Sequence, residues 1–284
     1  MRAALDAGIT YVDTAPMYGD GRAEARVGKV LAGRPRDSYI LSSKVGRLVR
    51  PGHPDSAGTG HDWIYDYTRD GILRSLEESL TRLGVDHLDI AYIHDCDSHW
   101  DDAITYAWPT LDDLRSQGVL RSIGVGMTQA PMPARFVRET SIDVLLLAGR
   151  YSLIDAEGLD ELLPLCVEKN VSVVPAQTLH GGLIEGGPDQ TYHYRPVDPE
   201  TRAKVDGIRT ICASYGVPTA AAGLQFVLAH PAVTAVLNGP SSPAQFEQSL
   251  AWYQHPIPAA LWSDLLDADL LRADAPVPTT TEGA

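Results

Sequence analysis

The 284-residue chain lacks any apolar run near the roughly 18 residues that a membrane span needs. Nor does it open like a secretory leader, because Met1-Arg2-Ala3-Ala4-Leu5-Asp6 carries charge where such a leader requires an apolar stretch. A cytoplasmic protein is expected. Positive charge is scarce: 23 Lys and Arg stand against 37 Asp and Glu, giving a net charge of −14 and a pI near 4.9. Phosphate backbones and anionic lipid are bound through basic patches, so neither nucleic acid nor a membrane surface is an expected partner. Cysteine is scarce too. Cys96, Cys166 and Cys212 are odd in number and show no close metal-ligand spacing, which favours buried thiols over a disulfide or a zinc site. The chain also has no internal repeat. Its nearest approach to a G-x-G-x-x-G dinucleotide motif, Gly124-Val125-Gly126-Met127-Thr128-Gln129, lacks the third glycine and sits mid-chain, against a doubly wound nucleotide-binding sheet.

What is present suffices for one large domain. Hydrophobic residues at 44% can fill a core, charged residues at 21% can solvate its surface, and α/β barrels commonly run to roughly 250 residues. Residues 1–284 are therefore expected to form a single domain with a frayed tail over 273–284. Short β-branched runs at 9–13, 39–44, 88–94, 121–126, 143–148, 171–176 and 233–238 alternate with amphipathic stretches, as parallel strands with helical crossovers do. The clearest helix lies at 68–83, where Ile72, Leu73, Leu76, Leu80 and Leu83 form one apolar stripe. Long segments after strands, at 46–67, 95–107 and 177–199, are of a length that is usually functional. The pattern points to a (β/α)8 barrel.

Barrel chemistry sits at the carboxyl ends of strands, and three early runs close on polar residues: Asp13, Lys44 and His94, with Tyr18 in the turn after Asp13. Each alone has a plain alternative. Asp13 suits a cap, Tyr18 a loop aromatic and His94 a hydrogen-bonded core histidine. Lys44 is harder to place so simply, since a lysine ending a buried strand must lose its hydration unless a carboxylate is near. Taken together, Asp13 and Lys44 can meet beside the phenol of Tyr18. One positive charge about 4 Å away, at an effective dielectric of about 20, is worth roughly 3 pKa units, enough to bring a tyrosine towards neutrality for acid-base work. His94 would then orient the reacting oxygen. A metal site on His94, Asp95, Cys96 and Asp97 is not expected, because alternate residues of a strand face opposite ways.

These residues carry a resemblance to the aldo-keto reductase family. Asp13-Thr14-Ala15-Pro16-Met17-Tyr18-Gly19 is similar to its D-T-A-x-x-Y-G signature. Lys44 stands in Leu41-Ser42-Ser43-Lys44-Val45-Gly46, and His94 ends Leu88-Asp89-Ile90-Ala91-Tyr92-Ile93-His94. The resemblance covers nearly the whole chain. It implies a (β/α)8 barrel that binds NAD(P) without a glycine-rich dinucleotide motif, with Tyr18 as proton donor or acceptor, Lys44 as its pKa perturber, Asp13 as the partner of Lys44, and His94 as substrate orienter.

The runs Tyr92-Ile93-His94-Asp95, Ile123-Gly124-Val125-Gly126-Met127 and Leu147-Ala148-Gly149-Arg150-Tyr151-Ser152-Leu153 resemble one branch of that family, the aldose 1-dehydrogenases acting on L-fucose and D-threo-aldoses and their pyridoxal 4-dehydrogenase relatives. The branch implies oxidation of the hemiacetal C1 hydroxyl of an aldose to a lactone. A general aldehyde or ketone reductase using NADPH is the alternative within the fold, and a weakly catalytic cofactor-binding or regulatory module is the alternative outside it. By the same resemblance Thr128, Tyr151, Gly182, Leu183, Gly239, Ser241, Ser242, Gln245 and Gln248 are cofactor-binding candidates. Asp95, Arg150 and Trp63 are substrate candidates. Ser241 replaces the family's phosphate-clamping Lys or Arg, so NAD is expected ahead of NADP. The substrate is expected to be a small sugar or carbonyl compound, and the protein a monomer or homodimer.

Only seven strands can be placed where a (β/α)8 barrel needs eight, and Met1 opens directly on the first helical pattern. The expectation is that a first strand is missing, either because Met1 is an internal methionine or because the chain is a truncated copy.

Overall fold

A computed structural model describes residues 1–49, 64–186, 191–192 and 195–279. The chain groups into two compact units, Met1–Met127 with Glu139–Leu145, and Thr128–Arg138 with Leu146–Ala284. Its principal strands are β1 (Tyr11–Asp13), β2 (Ile40–Val45), β5 (Ile90–His94), β6 (Ser122–Met127), β7 (Val144–Ala148) and β8 (Ser172–Ala176). Short antiparallel pairs, β3 (Arg47–Leu48) with β4 (Ile64–Tyr65) and β9 (Thr191–Tyr192) with β10 (Arg195–Pro196), lie in the segments after β2 and β8. The principal sheet has the order β1-β2-β5-β6-β7-β8. Spatial order thus follows chain order without the reversal that defines a doubly wound sheet, which is the winding of a barrel.

Six of the seven expected strands form, shortened by a residue or two at some ends. The seventh, expected at 233–238, is reduced to two isolated parallel bridges, Val173 with Val233 and Ala176 with Leu237. Pro175 in β8 has no N–H to give, so the ladder on this side has a donor fewer. Leu237 N–H still donates to the Pro175 carbonyl at 2.8 Å.

In the first unit the helices are α1 (Arg2–Asp6), α2 (Arg22–Leu31), α3 (Arg69–Leu83), α4 (Trp100–Asp102) and α5 (Trp108–Ser116). Thr68 caps α3 by accepting from Gly71 N–H at 3.2 Å, and Gly84 ends it at φ +67°. Ile72, Leu76 and Leu83 of the expected stripe are buried. At Gly28 of α2 a β-carbon would lie 2.2 Å from the Leu83 carbonyl oxygen, so only glycine permits this approach of α2 to α3. The segment 95–107 is not simply a loop: α4 runs through a wider helical turn at Ala103–Ala107 into α5.

The second unit holds α6 (Pro131–Glu139, all but its last residue), α7 (Leu162–Lys169), α8 (Pro199–Ser214), α9 (Thr219–Leu228), α10 (Pro243–Tyr253) and α11 (Ala259–Asp267). Phe226 packs on Tyr151 and Trp262 in its core. All three cysteines are free and buried, and burial pushes their thiols up, to about 12 for Cys96 and Cys166 and about 11 for Cys212. Among the described residues no single helix is long and apolar enough to cross a membrane.

Candidate active site

Parallel pairing of β1 with β2 sets Asp13 opposite Ser42, and pairing of β2 with β5 sets Lys44 opposite Tyr92. Because side chains alternate along a strand, Ser42 and Lys44 share one face of β2 and both meet Asp13. Lys44 Nζ donates to Asp13 Oδ2 at 2.6 Å and to the Thr14 carbonyl at 2.8 Å, while Ser42 Oγ donates to Asp13 Oδ1 at 2.6 Å. Ser43, on the other face, donates to Glu24 of α2 at 2.7 Å, and Glu24 in turn accepts from Arg82 of α3 at 2.6 Å. Burial alone pulls the Lys44 ammonium down, but Asp13 and Tyr18 return it above the ordinary lysine range.

The Lys44 ammonium lies 4.8 Å from the centroid of the Tyr18 ring, which meets the His94 imidazole edge-on at 6.2 Å. The four residues singled out in the sequence are therefore brought together. The expected downward pull on Tyr18 does not win, however. Burial raises its pKa, and although the charge and hydrogen bonding of Lys44 lower it, the Asp13 countercharge opposes them, leaving Tyr18 above the ordinary tyrosine value. Burial first, and then the carboxylate that accompanies the ammonium, outweigh the pull expected from Lys44. His94 is held well below the usual histidine range by burial and then by the charges of Lys44 and Arg47, so it is neutral at pH 7. Its Nδ1 is buried without a hydrogen-bond partner among the described residues.

Asp95 has an ion-pair partner that sequence reasoning missed. Arg47 Nη1 donates to Asp95 Oδ2 at 2.5 Å, and the same oxygen is 3.6 Å from His94 Nε2. Burial raises the Asp95 carboxyl despite Arg47. Tyr67 donates its hydroxyl to the His94 carbonyl at 2.6 Å, with the Asp95 carbonyl at 3.2 Å. At Gly46, φ +92°, a β-carbon would lie 2.2 Å from the Tyr67 ring, so glycine makes room for this tyrosine. The signal available in the sequence was Arg47 itself, a cation one residue beyond a strand-ending glycine. Trp63 lies outside the described residues.

The remaining candidates belong to the second unit. Arg150 is committed to its own neighbourhood, donating to the Thr128 carbonyl at 2.8 Å and pairing with Asp155 at 3.3 Å and Glu157 at 3.0 Å. Tyr151, a cofactor-binding candidate, is fully buried, with the Phe226 ring 5.3 Å and the His230 ring 5.6 Å from its own. Leu183 likewise points its apolar side chain into the core, and its N–H is used in a turn to the His180 carbonyl at 3.1 Å. In both, an apolar or aromatic side chain takes the core contacts within its reach. Thr128 is exposed, and Gly182, at φ +90°, has open space where a side chain would stand.

The loop before α10 keeps the properties of an anion site. Ser242 caps α10 by accepting from Gln245 N–H at 3.2 Å, and Gly239 is exposed with nothing within 4 Å of a notional β-carbon. Gln245 Oε1 accepts from both the N–H and the hydroxyl of Ser241, each at 2.7 Å. Gln248 is exposed on the first turns of α10. The donor set fits the phosphates of a nucleotide, and no Lys or Arg occurs between Asn238 and Tyr253.

The aldo/keto reductase family pattern matches residues 1–269. A D-threo-aldose 1-dehydrogenase from a Pseudomonas species is 38% identical over 95% of this chain and 87% of its own length. A pyridoxal 4-dehydrogenase from Microbacterium luteolum is 33% identical over 95% and 87%. Among solved structures, the holo form of an aldo-keto reductase from Bacillus halodurans is 26% identical, covers 96% of this chain and 86% of that one, and superimposes with a TM-score of 0.78. The glycerol dehydrogenase of Gluconobacter oxydans, at 24% identity and a TM-score of 0.74 over 99% and 86%, shares the fold. These likenesses agree with the barrel winding of the sheet. The chain belongs to the aldo/keto reductase family of NAD(P)-using oxidoreductases.

Proposed function

We propose that the protein oxidises the C1 hydroxyl of a cyclic aldose to a lactone, with NAD as the preferred acceptor. The observation that carries this reading is the meeting of Asp13, Lys44, Tyr18 and His94 in one cluster; the 38% identical aldose 1-dehydrogenase supports the substrate class. Bound NAD(P) supplies the hydride acceptor. Gly239, Ser241, Ser242, Gln245 and Gln248 hold its phosphate and adenosine end, with Gly182 and Thr128 as further contacts. The absence of a cation on that loop removes the main charge partner of a 2′-phosphate and favours NAD.

The chain's own work is positional and protonic. Tyr18 takes the proton of the hemiacetal hydroxyl as its C1 hydrogen departs as hydride, and Lys44 stabilises the phenolate form of Tyr18. Asp13 fixes Lys44, and Ser42 fixes Asp13. Neutral His94 adds no charge to repel the Lys44 ammonium, and it orients the reacting oxygen through a ring nitrogen. The test is incubation with NAD+ and a panel of aldoses that includes L-fucose. NADH and lactone formed in equal amounts is the expected result. No NADH from any aldose, with turnover of NADPH and a simple aromatic aldehyde, would instead favour a general carbonyl reductase.

A further inference from the structure

We infer that Asp95, held by Arg47, accepts a hydrogen bond from the hydroxyl on the carbon next to the one oxidised, so that the site selects 2-hydroxy aldoses over their 2-deoxy counterparts. The inference rests on the aldose reading above and specifies which part of the sugar is recognised.

Asp95 is an unusual residue in its setting. It follows His94 directly, and its backbone has φ +41°, a left-handed conformation that aspartate adopts more readily than most residues but still at some cost. The conformation is held from several sides. Asp95 N–H donates to the Gly126 carbonyl at 3.0 Å, Tyr67 hydrogen-bonds the carbonyls of His94 and Asp95, and Arg47 binds Oδ2. Arg47 is itself fixed, buried to 8% exposure with the Tyr65 ring 5.4 Å from its guanidinium carbon. The left-handed turn brings the carboxylate back towards His94, leaving Oδ2 3.6 Å from Nε2.

Two polar atoms at this point have no hydrogen-bond partner among the described residues, one of them buried and the other open to solvent. Asp95 Oδ1 receives no hydrogen bond among the described residues, although the side chain is only 24% exposed, and His94 Nδ1 is buried without a partner. A partly exposed carboxylate with one oxygen on a guanidinium keeps the other able to accept from a ligand in place of water. Arg47 supplies a charge partner but leaves that second oxygen open. Neighbouring hydroxyl oxygens of a sugar lie about one hydrogen-bond length apart, and Asp95 Oδ2 stands 3.6 Å from His94 Nε2, so one edge of a sugar can meet both side chains. If His94 orients the oxygen at C1, the hydroxyl within reach of Asp95 is the one at C2. A sugar hydroxyl is a donor that a simple aldehyde lacks, so the same group separates aldoses from general carbonyl compounds.

The experiment compares kcat/KM for L-fucose and 2-deoxy-L-fucose in the wild type, Asp95→Gly and Asp95→Asn, with any other aldose and 2-deoxy pair used if L-fucose is not turned over. Glycine and asparagine both tolerate the positive φ, so the backbone turn is kept while the carboxylate is lost. The wild type is expected to prefer the 2-hydroxy sugar about 10- to 100-fold, the range for a hydrogen bond to a charged group. Asp95→Gly is expected to remove most of that preference, and Asp95→Asn part of it. Turnover of both sugars at similar kcat/KM by the wild type, or an equal loss on both in Asp95→Gly, would overturn the inference and leave the aldose reading standing. A wild type that oxidises no aldose yet reduces aromatic aldehydes would overturn both.

Discussion

Asp13 holds the ammonium of Lys44 at 2.6 Å in a place where neither side chain exposes more than 2% of its surface. A pair this buried is coupled in energy as well as in chemistry. Removing either member leaves the other charge without its partner, which costs about 3–5 kcal/mol. Asp13→Ala and Lys44→Met should each lower the urea-unfolding free energy by about that amount. The double variant Asp13→Leu/Lys44→Met should recover most of the loss while remaining inactive. A double variant as unstable as the sum of the two singles would show that the pair is not coupled.

Tyr18 gives the opposite pattern. Tyr18 is 40% exposed, and its hydroxyl hydrogen-bonds the Lys44 ammonium, which keeps Asp13 and the Thr14 carbonyl when that hydroxyl is removed. Tyr18→Phe should therefore cost no more than about 1.5 kcal/mol of stability and lower kcat about 100- to 10,000-fold, the range of a lost acid-base group. Thermal melts and steady-state kinetics on the same preparation separate the two effects.

Two pH dependences follow from the titrating groups. Burial holds Tyr18 above the ordinary tyrosine range, so in the oxidative direction kcat/KM should climb steadily into alkaline pH instead of levelling near neutrality. A plateau beginning at pH 7 would contradict this. His94 acts on stability. Its folded pKa is depressed, so the unfolded chain binds the proton first, and below about pH 6.5 unfolding gains relative to folding. Its stabilising contribution is present above that pH and falls as acid is added. The slope reaches about 1.4 kcal/mol per pH unit between the two pKa values, and His94→Asn should remove it from urea titrations run between pH 7 and pH 5.

Cofactor choice is tested at Ser241, which stands at the start of the α10 loop and has no Lys or Arg near it in sequence. Ser241→Arg adds a guanidinium suited to a 2′-phosphate. The ratio of kcat/KM for NADP over NAD should rise about 10-fold or more, and an unchanged ratio would place the 2′-position elsewhere.

The strands and their polar ends were legible because both signals are local. A buried strand needs apolar residues in succession, and a lysine or aspartate closing such a run stands out, as Asp13 and Lys44 do. What was not legible depends on partners distant in sequence. Tyr18 was expected to titrate low because Lys44 was considered without the cancelling effect of Asp13 and of burial. Nothing in the segment around Tyr151 reveals that its ring meets Phe226 and His230. The strand at 233–238 looked regular in isolation, and only its pairing with Pro175 shows why its ladder breaks.

The two faces of β2 have a consequence for how this protein can change. Ser42 and Lys44 both bind Asp13, while Ser43 between them ties the strand to Glu24 and thus to two helices. Because side-chain direction has a period of two, inserting or deleting one residue ahead of Ser42 would turn Lys44 towards the helices and Ser43 towards Asp13. Loops after the strands are free to vary in length and so to change the substrate, whereas β2 can accept only edits that preserve its parity.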